Sequence, residues 1–416
     1  MSTIHHQHLD CGMEMGAEVL GNRDTVAIEF RTFAGMAYER ADRLGLAHLV
    51  METIDKGTAR RSGRDLSDAF DALGVQHGSW TGRECIGFTA VCLPEFLDAV
   101  IDLFAEMIRT PTFPEEAVAV AVDLARQELA MLEDDPREIT DKILTRQSYG
   151  DRLGRHPLGE LETLENITRQ AVVDHWQTAF AAGRTQVSVA GKVDPGRLAD
   201  KLEAAFGGFG PAAPDGRDRF PLDFCPAQAH RDKDVEQEHI GICYVGVPAD
   251  AASYPIQRVL LAILSGGMSS RLFTELREKQ ALVYWVSAWA EYPRGHGIIH
   301  LGASTTPERC DKTYRALLGE IDRLGDTLEQ PELDRVITGI VARTETRGDI
   351  TKARCGELAS DLFHRGRLIP IEEKLQEIKA VTIEDIRRFL TENPRDRLSI
   401  VTLGPRELAS PETPLE

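Results

Sequence analysis

The secondary-structure signals of this 416-residue chain run through one order and then begin it again, and a repeat of that size constrains the fold more than any motif inside it. In the first pass, alternating apolar residues mark a strand at 25–33. A short helix at 46–54, a helix at 65–73, a strand at 83–93 and a helix at 95–108 follow. Helices at 114–132, 137–149 and 169–180 and a strand at 185–193 complete it. The Gly/Pro-rich run Gly207 to Gly216 then breaks every periodic pattern and reads as a linker. Beyond it come a strand at 239–247, helices at 256–264 and 269–279, and strands at 282–291 and 297–303. Helices at 307–323, 331–346, 352–364, 371–379 and 383–391 and a strand at 398–403 end the second pass. Pro114-Glu115-Glu116 opens a helix as Pro331-Glu332-Leu333 does 217 positions later, and Gln186–Val189 matches Arg397–Ile400 at a separation of 211. The expectation is two similar α+β halves, at 1–206 and 223–416 around a linker at 207–222. Runs of strands and helix pairs, without strict β-α-β alternation, favour sheets covered by helices on one face.

Charge and cysteine usage narrow the functional classes. A net charge of −19 and pI near 5.1 provide no overall basic surface for nucleic acid or anionic lipid. The seven cysteines are scattered, odd in number and contain no CxxC pair, so they read as reduced and mostly buried thiols. The stretch 1–12 is polar with no apolar leader, and no run reaches membrane-spanning length, so the expected location is the cytoplasm. The cluster His5, His6 and His8 reads as a disordered end rather than a metal site.

The densest chemistry lies in Gly45 to Thr58. Leu46, Leu49, Val50 and Ile54 follow a helical period that stops at Gly57, so His48 and Glu52, four residues apart, share one helix face. Such a pair could hold a metal or be an ordinary polar pair on an amphipathic helix, and spacing alone leaves both open.

Gly45-Leu46-Ala47-His48, followed after a short gap by Lys56-Gly57-Thr58, resembles the zinc-helix signature of the pitrilysin/insulinase family, the inverted-motif (HxxEH) zinc peptidases. The resemblance implies α+β halves that are homologous, each a mainly antiparallel sheet covered by helices, together half of a clam-like chamber. In that pattern two histidines bind zinc and the intervening glutamate activates water. Here the glutamate position is Met51 and the second histidine position is Glu52, so only His48 matches. A thioether cannot take a proton from a zinc-bound water, so the resemblance implies no catalytic residue in this chain acting alone. The third-ligand position falls on Glu128, 76 residues beyond Glu52, which leaves His48, Glu52 and Glu128 as a vestigial metal set. The family's substrate-gripping edge strand, usually Asn-Ala-x-Thr, stands here as Gly78-Ser79-Trp80-Thr81, without the asparagine.

In the second half, Ser265-Gly266-Gly267 through Arg277 to Tyr284 closely resembles the family segment whose arginine and tyrosine, seven residues apart, bind the substrate backbone and steady the tetrahedral intermediate. Arg277 and Tyr284 keep that spacing. The bland alternative pairs Arg277 with a helix neighbour such as Glu278. The profile resembles the motif-less subunit of bacterial heterodimeric members. It implies a non-catalytic substrate-binding subunit, zinc held by a catalytic HxxEH partner, a peptide substrate, and neither nucleic acid nor membrane as partner. The alternatives are a self-sufficient metallohydrolase with a rebuilt His48/Glu52/Glu128 site and an inert scaffold or assembly subunit.

Overall fold

Two sheets organise the chain in the computed structural model, which describes residues 3–210 and 218–409. Part of the expected linker, 211–217, lies outside the described residues. The first sheet contains β1 (Thr3–His8), β2 (Glu14–Val19), β3 (Val26–Thr32), β4 (Gln76–Thr81), β5 (Ile86–Cys92) and β6 (Thr185–Gly191) in the order β1-β2-β6-β3-β5-β4. The second contains β7 (Gln228–Asp232), β8 (Glu238–Gly246), β9 (Val283–Glu291), β10 (Gly297–Thr305) and β11 (Ser399–Gly404) in the order β7-β11-β8-β10-β9. Setting β1 aside, the two orders superpose strand for strand. Each sheet has one parallel pairing, β2 with β6 and β7 with β11, in an otherwise antiparallel ladder. The repeat read from sequence is therefore a repeat of topology, in an α+β chain of two halves.

The chain divides into two compact units that do not follow the sequence halves strictly. One comprises Met1–Met131, Arg155–Phe220 and Glu345–Pro370; the other comprises Leu132–Gly154, Pro221–Thr344 and Ile371–Glu416. Each half thus lends one helix to the sheet of the other. The helix Thr351–Arg365 packs on β2, β3 and β6, and the helix Pro136–Ser148 packs on β8 and β11. The first exchange is held by a buried bidentate pair, Arg354 Nε to Glu18 Oε2 at 3.0 Å and Nη2 to Oε1 at 2.6 Å. Cys355 Sγ also donates to Ser188 O at 3.1 Å. In the second, Gln147 Nε2 donates to Ser399 Oγ at 2.7 Å and to Ile400 O at 3.1 Å.

Most elements expected from periodicity form within a few residues of their expected bounds. The polar N-terminal stretch is a correction. Thr3–His8 is a strand in register with β2 along its whole length, because backbone pairing to a neighbouring edge orders a segment that has no apolar face of its own. A second correction is the helix expected at 269–279, where the regular turns give way to a π-helical segment, Phe273–Lys279. All seven cysteines are free thiols, and six are buried. Among the described residues no helix is long and apolar enough to cross a membrane.

Candidate functional site

The signature residues sit on the helix Leu46–Thr53, whose apolar face (Leu46, Leu49, Val50) is buried in the first unit's core. Its entry needs glycine twice. Gly45 has φ of 102°, and a Cβ at Gly159 would come within 2.3 Å of the Leu44 carbonyl. The N–H groups at the helix start, which have no partner within the helix, are capped by a side chain from outside it: the buried Glu39 carboxylate accepts from Gly45 N at 3.0 Å and Ala47 N at 2.7 Å. Arg155, also buried, donates to the carbonyls of Met36 at 3.1 Å and Glu39 at 2.6 Å and fixes that loop. Neither residue is legible from spacing, since Arg155 reaches its partners from 116 residues away.

Burial pushes the Glu39 carboxyl up to about 7, against the two backbone N–H groups and Arg155, which favour its charged form. Because the folded state raises this acid above its ordinary 4.5, its contribution to stability is full below about pH 4.5 and is lost as pH rises through about 7. The stability of the wild type relative to Glu39→Gln should therefore fall between pH 4.5 and 8 by on the order of 3 kcal/mol. Denaturation midpoints of the two proteins across that range check it, and a difference independent of pH would refute it.

Along the helix, His48 is half-buried, Glu52 half-buried and Glu128, on the helix Glu115–Leu132, exposed. Burial holds the His48 imidazole below its ordinary range, while the nearby carboxylates of Glu52 and Glu128 pull the other way. The fold therefore brings the three close enough to interact. Their ligand atoms do not cluster, however. Among the described residues the one group of three or more His, Cys, Asp or Glu side chains with ligand atoms all within 4.8 Å lies elsewhere, on β1 and β2. Met51, which the family resemblance aligns with the base, is half-buried, and its thioether sulfur accepts the Ser79 hydroxyl at 3.2 Å. One imidazole, no base and a sulfur turned to a neighbouring hydroxyl do not fit a catalytic zinc.

Ser79 belongs to β4, the outermost strand of its sheet, with Gln76 through Ser79 exposed. Behind it the Trp80 indole lies across Gly87 so closely that a Cβ there would meet the ring at 2.1 Å, and the Arg31 guanidinium lies 5.4 Å from that ring. A strand edge of this kind can receive an extended peptide by backbone pairing.

Arg277 and Tyr284 belong to the second unit. Arg271 anchors the start of their segment with a two-pronged contact to Glu332 at 2.9 and 2.7 Å. Glu275 is occupied by Lys279 at 2.7 Å and Arg323 at 3.3 Å, which hold its carboxyl below the usual range. After the π-helical segment the chain reverses at Ala281, a non-glycine residue with φ of 48°, closed by Leu282 N to Leu276 O at 2.8 Å. The reversal carries Tyr284 onto β9 with its side chain open to solvent, 74% exposed. The Arg277 guanidinium lies 4.8 Å from the Phe273 ring and 5.4 Å from the Tyr284 ring. Among the described residues no carboxylate pairs with it. It is ordered by rings rather than by Glu278, so its forked donors remain available.

Comparison with known proteins agrees with this anatomy. Residues 20–160 match the family model described as insulinase (peptidase family M16), and residues 166–340 match that described as peptidase M16 inactive domain. A protein of Rickettsia felis named as an uncharacterized zinc protease is 27% identical over 393 residues, covering 92% of this chain and 93% of its own. An uncharacterized zinc protease of Streptomyces coelicolor is 26% identical, covering 97% and 90%. The crystal structure of a peptidase M16 inactive domain from Pseudomonas fluorescens superposes with a TM-score of 0.89 at 19% identity, over 98% of this chain and 100% of that one. A protease from Helicobacter pylori superposes with a TM-score of 0.88 at 16% identity, over 97% and 100%. With both halves matched to the same family and the fold shared along nearly its whole length, the chain belongs to the pitrilysin/insulinase (M16) peptidase family, its second half of the inactive-domain type.

Proposed function

We propose that this chain is the non-catalytic, substrate-binding subunit of a heterodimeric zinc metallopeptidase. It pairs with an HxxEH chain to complete a clam-like chamber and supplies Arg277 and Tyr284 to that partner's zinc site. One contrast carries the reading: the base position holds Met51, tied to Ser79, while Arg277 and Tyr284 are exposed, ordered and unspent on internal ion pairs. The guanidinium fork and the phenol suit a peptide carbonyl that gains negative charge as it is attacked. The open edge of β4 offers a second hold on the peptide backbone. The partner, not this chain, holds the zinc, and the pairing takes place in the cytoplasm, where thiols stay reduced. The ligand atoms of His48, Glu52 and Glu128, near one another but not all within 4.8 Å, speak against the rebuilt-hydrolase alternative, and the exposed Arg277–Tyr284 pair speaks against a pure scaffold.

The test is peptidase activity on a mixed peptide library, for the purified chain alone and mixed with an HxxEH relative encoded nearby. Activity only on mixing is the expected result, and hydrolysis by the chain alone that disappears in His48→Ala would overturn it. A second expectation follows from the Met51 and Glu52 positions. The double variant M51E/E52H, which restores the inverted motif beside His48 and Glu128, should bind one more zinc equivalent than the wild type after dialysis. Adding His48→Ala should remove that equivalent. Zinc content unchanged by M51E/E52H would mean that the helix is no longer placed to hold the metal.

A further inference from the structure

We propose that His6, His8 and Glu14 form a binding site for a divalent transition-metal ion, separate from the helix that carries His48. On a strand, residues two apart point to the same face, so His6 and His8 of β1 project together. The antiparallel register sets His8 directly opposite Glu14 and His6 opposite Gly16, a neighbour without a side chain, so both rings converge on the Glu14 carboxylate. His6 Nε2 lies 3.0 Å from Glu14 Oε1, and the two imidazole centroids are 5.5 Å apart. One ligand atom from each of the three lies within 4.8 Å of the others.

The carboxylate is held from behind. Glu14 is 5% exposed, and its Oε2 accepts from Gln186 Nε2 at 2.9 Å. Gln186 is itself buried on β6, opposite Glu14 in the parallel register, and donates also to Leu362 O at 3.1 Å. A buried amide that orients one oxygen while the other faces the imidazoles is the supporting shell that metal sites use to fix a ligand's direction. Two imidazoles and a carboxylate are three protein ligands with room for water as a fourth. That set suits Zn²⁺, Co²⁺ or Ni²⁺ and is poor for the oxygen-seeking Ca²⁺ and Mg²⁺. Around a tetrahedral ion with bonds of about 2.0–2.1 Å the donors sit roughly 3.3 Å apart, within rotamer reach of their present positions on solvent-exposed rings. Bound there, an ion would clip β1, which pairs on one side only, to β2 and the sheet interior.

The experiment uses the full chain without a histidine tag, titrated with Co²⁺ followed by its visible absorption and with Zn²⁺ by calorimetry. The wild type should bind one ion, with the absorption of a four-coordinate Co²⁺ centre, and its thermal midpoint should rise on binding. His6→Ala and His8→Ala, on an exposed strand and so of low risk to folding, should each weaken binding by at least roughly ten-fold and abolish the thermal shift. His5→Ala, on the opposite face of β1, and His48→Ala should leave both unchanged. Absence of one-to-one binding, affinity indifferent to His6 and His8, or loss of the ion in His48→Ala would each overturn the site.

Discussion

In the proposed heterodimeric peptidase, Arg277→Ala should lower peptide turnover by roughly 10²-fold or more, the scale expected when a preorganised donor to a developing oxyanion is removed. The guanidinium lies against the Phe273 and Tyr284 rings with no carboxylate partner among the described residues, so in the proposed role its fixed N–H groups would meet a substrate oxygen with little reorganisation. Arg277→Lys should recover only part of the loss, because an ammonium keeps the charge but lacks the fork and the stacked plane. Tyr284→Phe keeps the ring that supports Arg277 and removes only the hydroxyl, so it isolates the phenol's contribution. The double variant should fall short of the product of the singles, since the two side chains act as one unit. The measurement is kcat/KM of each complex at matched subunit ratio. Full activity in both single variants would end the substrate-binding reading.

The second large effect concerns folding. Arg354→Met should destabilise the chain by about 3–5 kcal/mol, because it strands the Glu18 carboxylate without its cation. The Glu18 side chain is 1% exposed and that of Arg354 5%. The double variant E18L/R354M, which replaces both charges with apolar groups of similar volume, should return to near wild-type stability or exceed it. Urea denaturation of the three proteins decides the matter. A double variant as unstable as the single would mean that the pair's hydrogen-bond geometry, not charge burial, holds the helix Thr351–Arg365 to its sheet.

Several parts of the site and fold were legible before any coordinates. The strand at Val26–Thr32, the helix Leu46–Thr53 and the strand Ser399–Gly404 follow directly from apolar periods of two or 3.6 residues. That Met stands at 51, three residues after His48, and that Arg277 and Tyr284 lie seven residues apart are facts of sequence. Other parts were hidden for identifiable reasons. The strand at Thr3–His8 has no apolar face, and β2 carries Glu14 and Glu18, whose burial depends on Gln186 and Arg354 far along the chain. Glu39 looks like any surface acid until the fold places it over the N–H groups of Gly45 and Ala47. The supported His6, His8 and Glu14 cluster was hidden with β1, since it needs a strand register that a polar segment does not announce.

By itself the sequence determined the repeat and the type and order of most elements. These are properties of local period and residue chemistry, which each segment carries with it. Only the tertiary structure decided that Thr351–Arg365 covers the first sheet and Pro136–Ser148 the second. An amphipathic period marks an apolar stripe that must be buried but does not name the surface that buries it. That choice rests on long-range partners such as Glu18 for Arg354, 336 residues apart, and Ser399 for Gln147, 252 residues apart, which only the folded chain brings together.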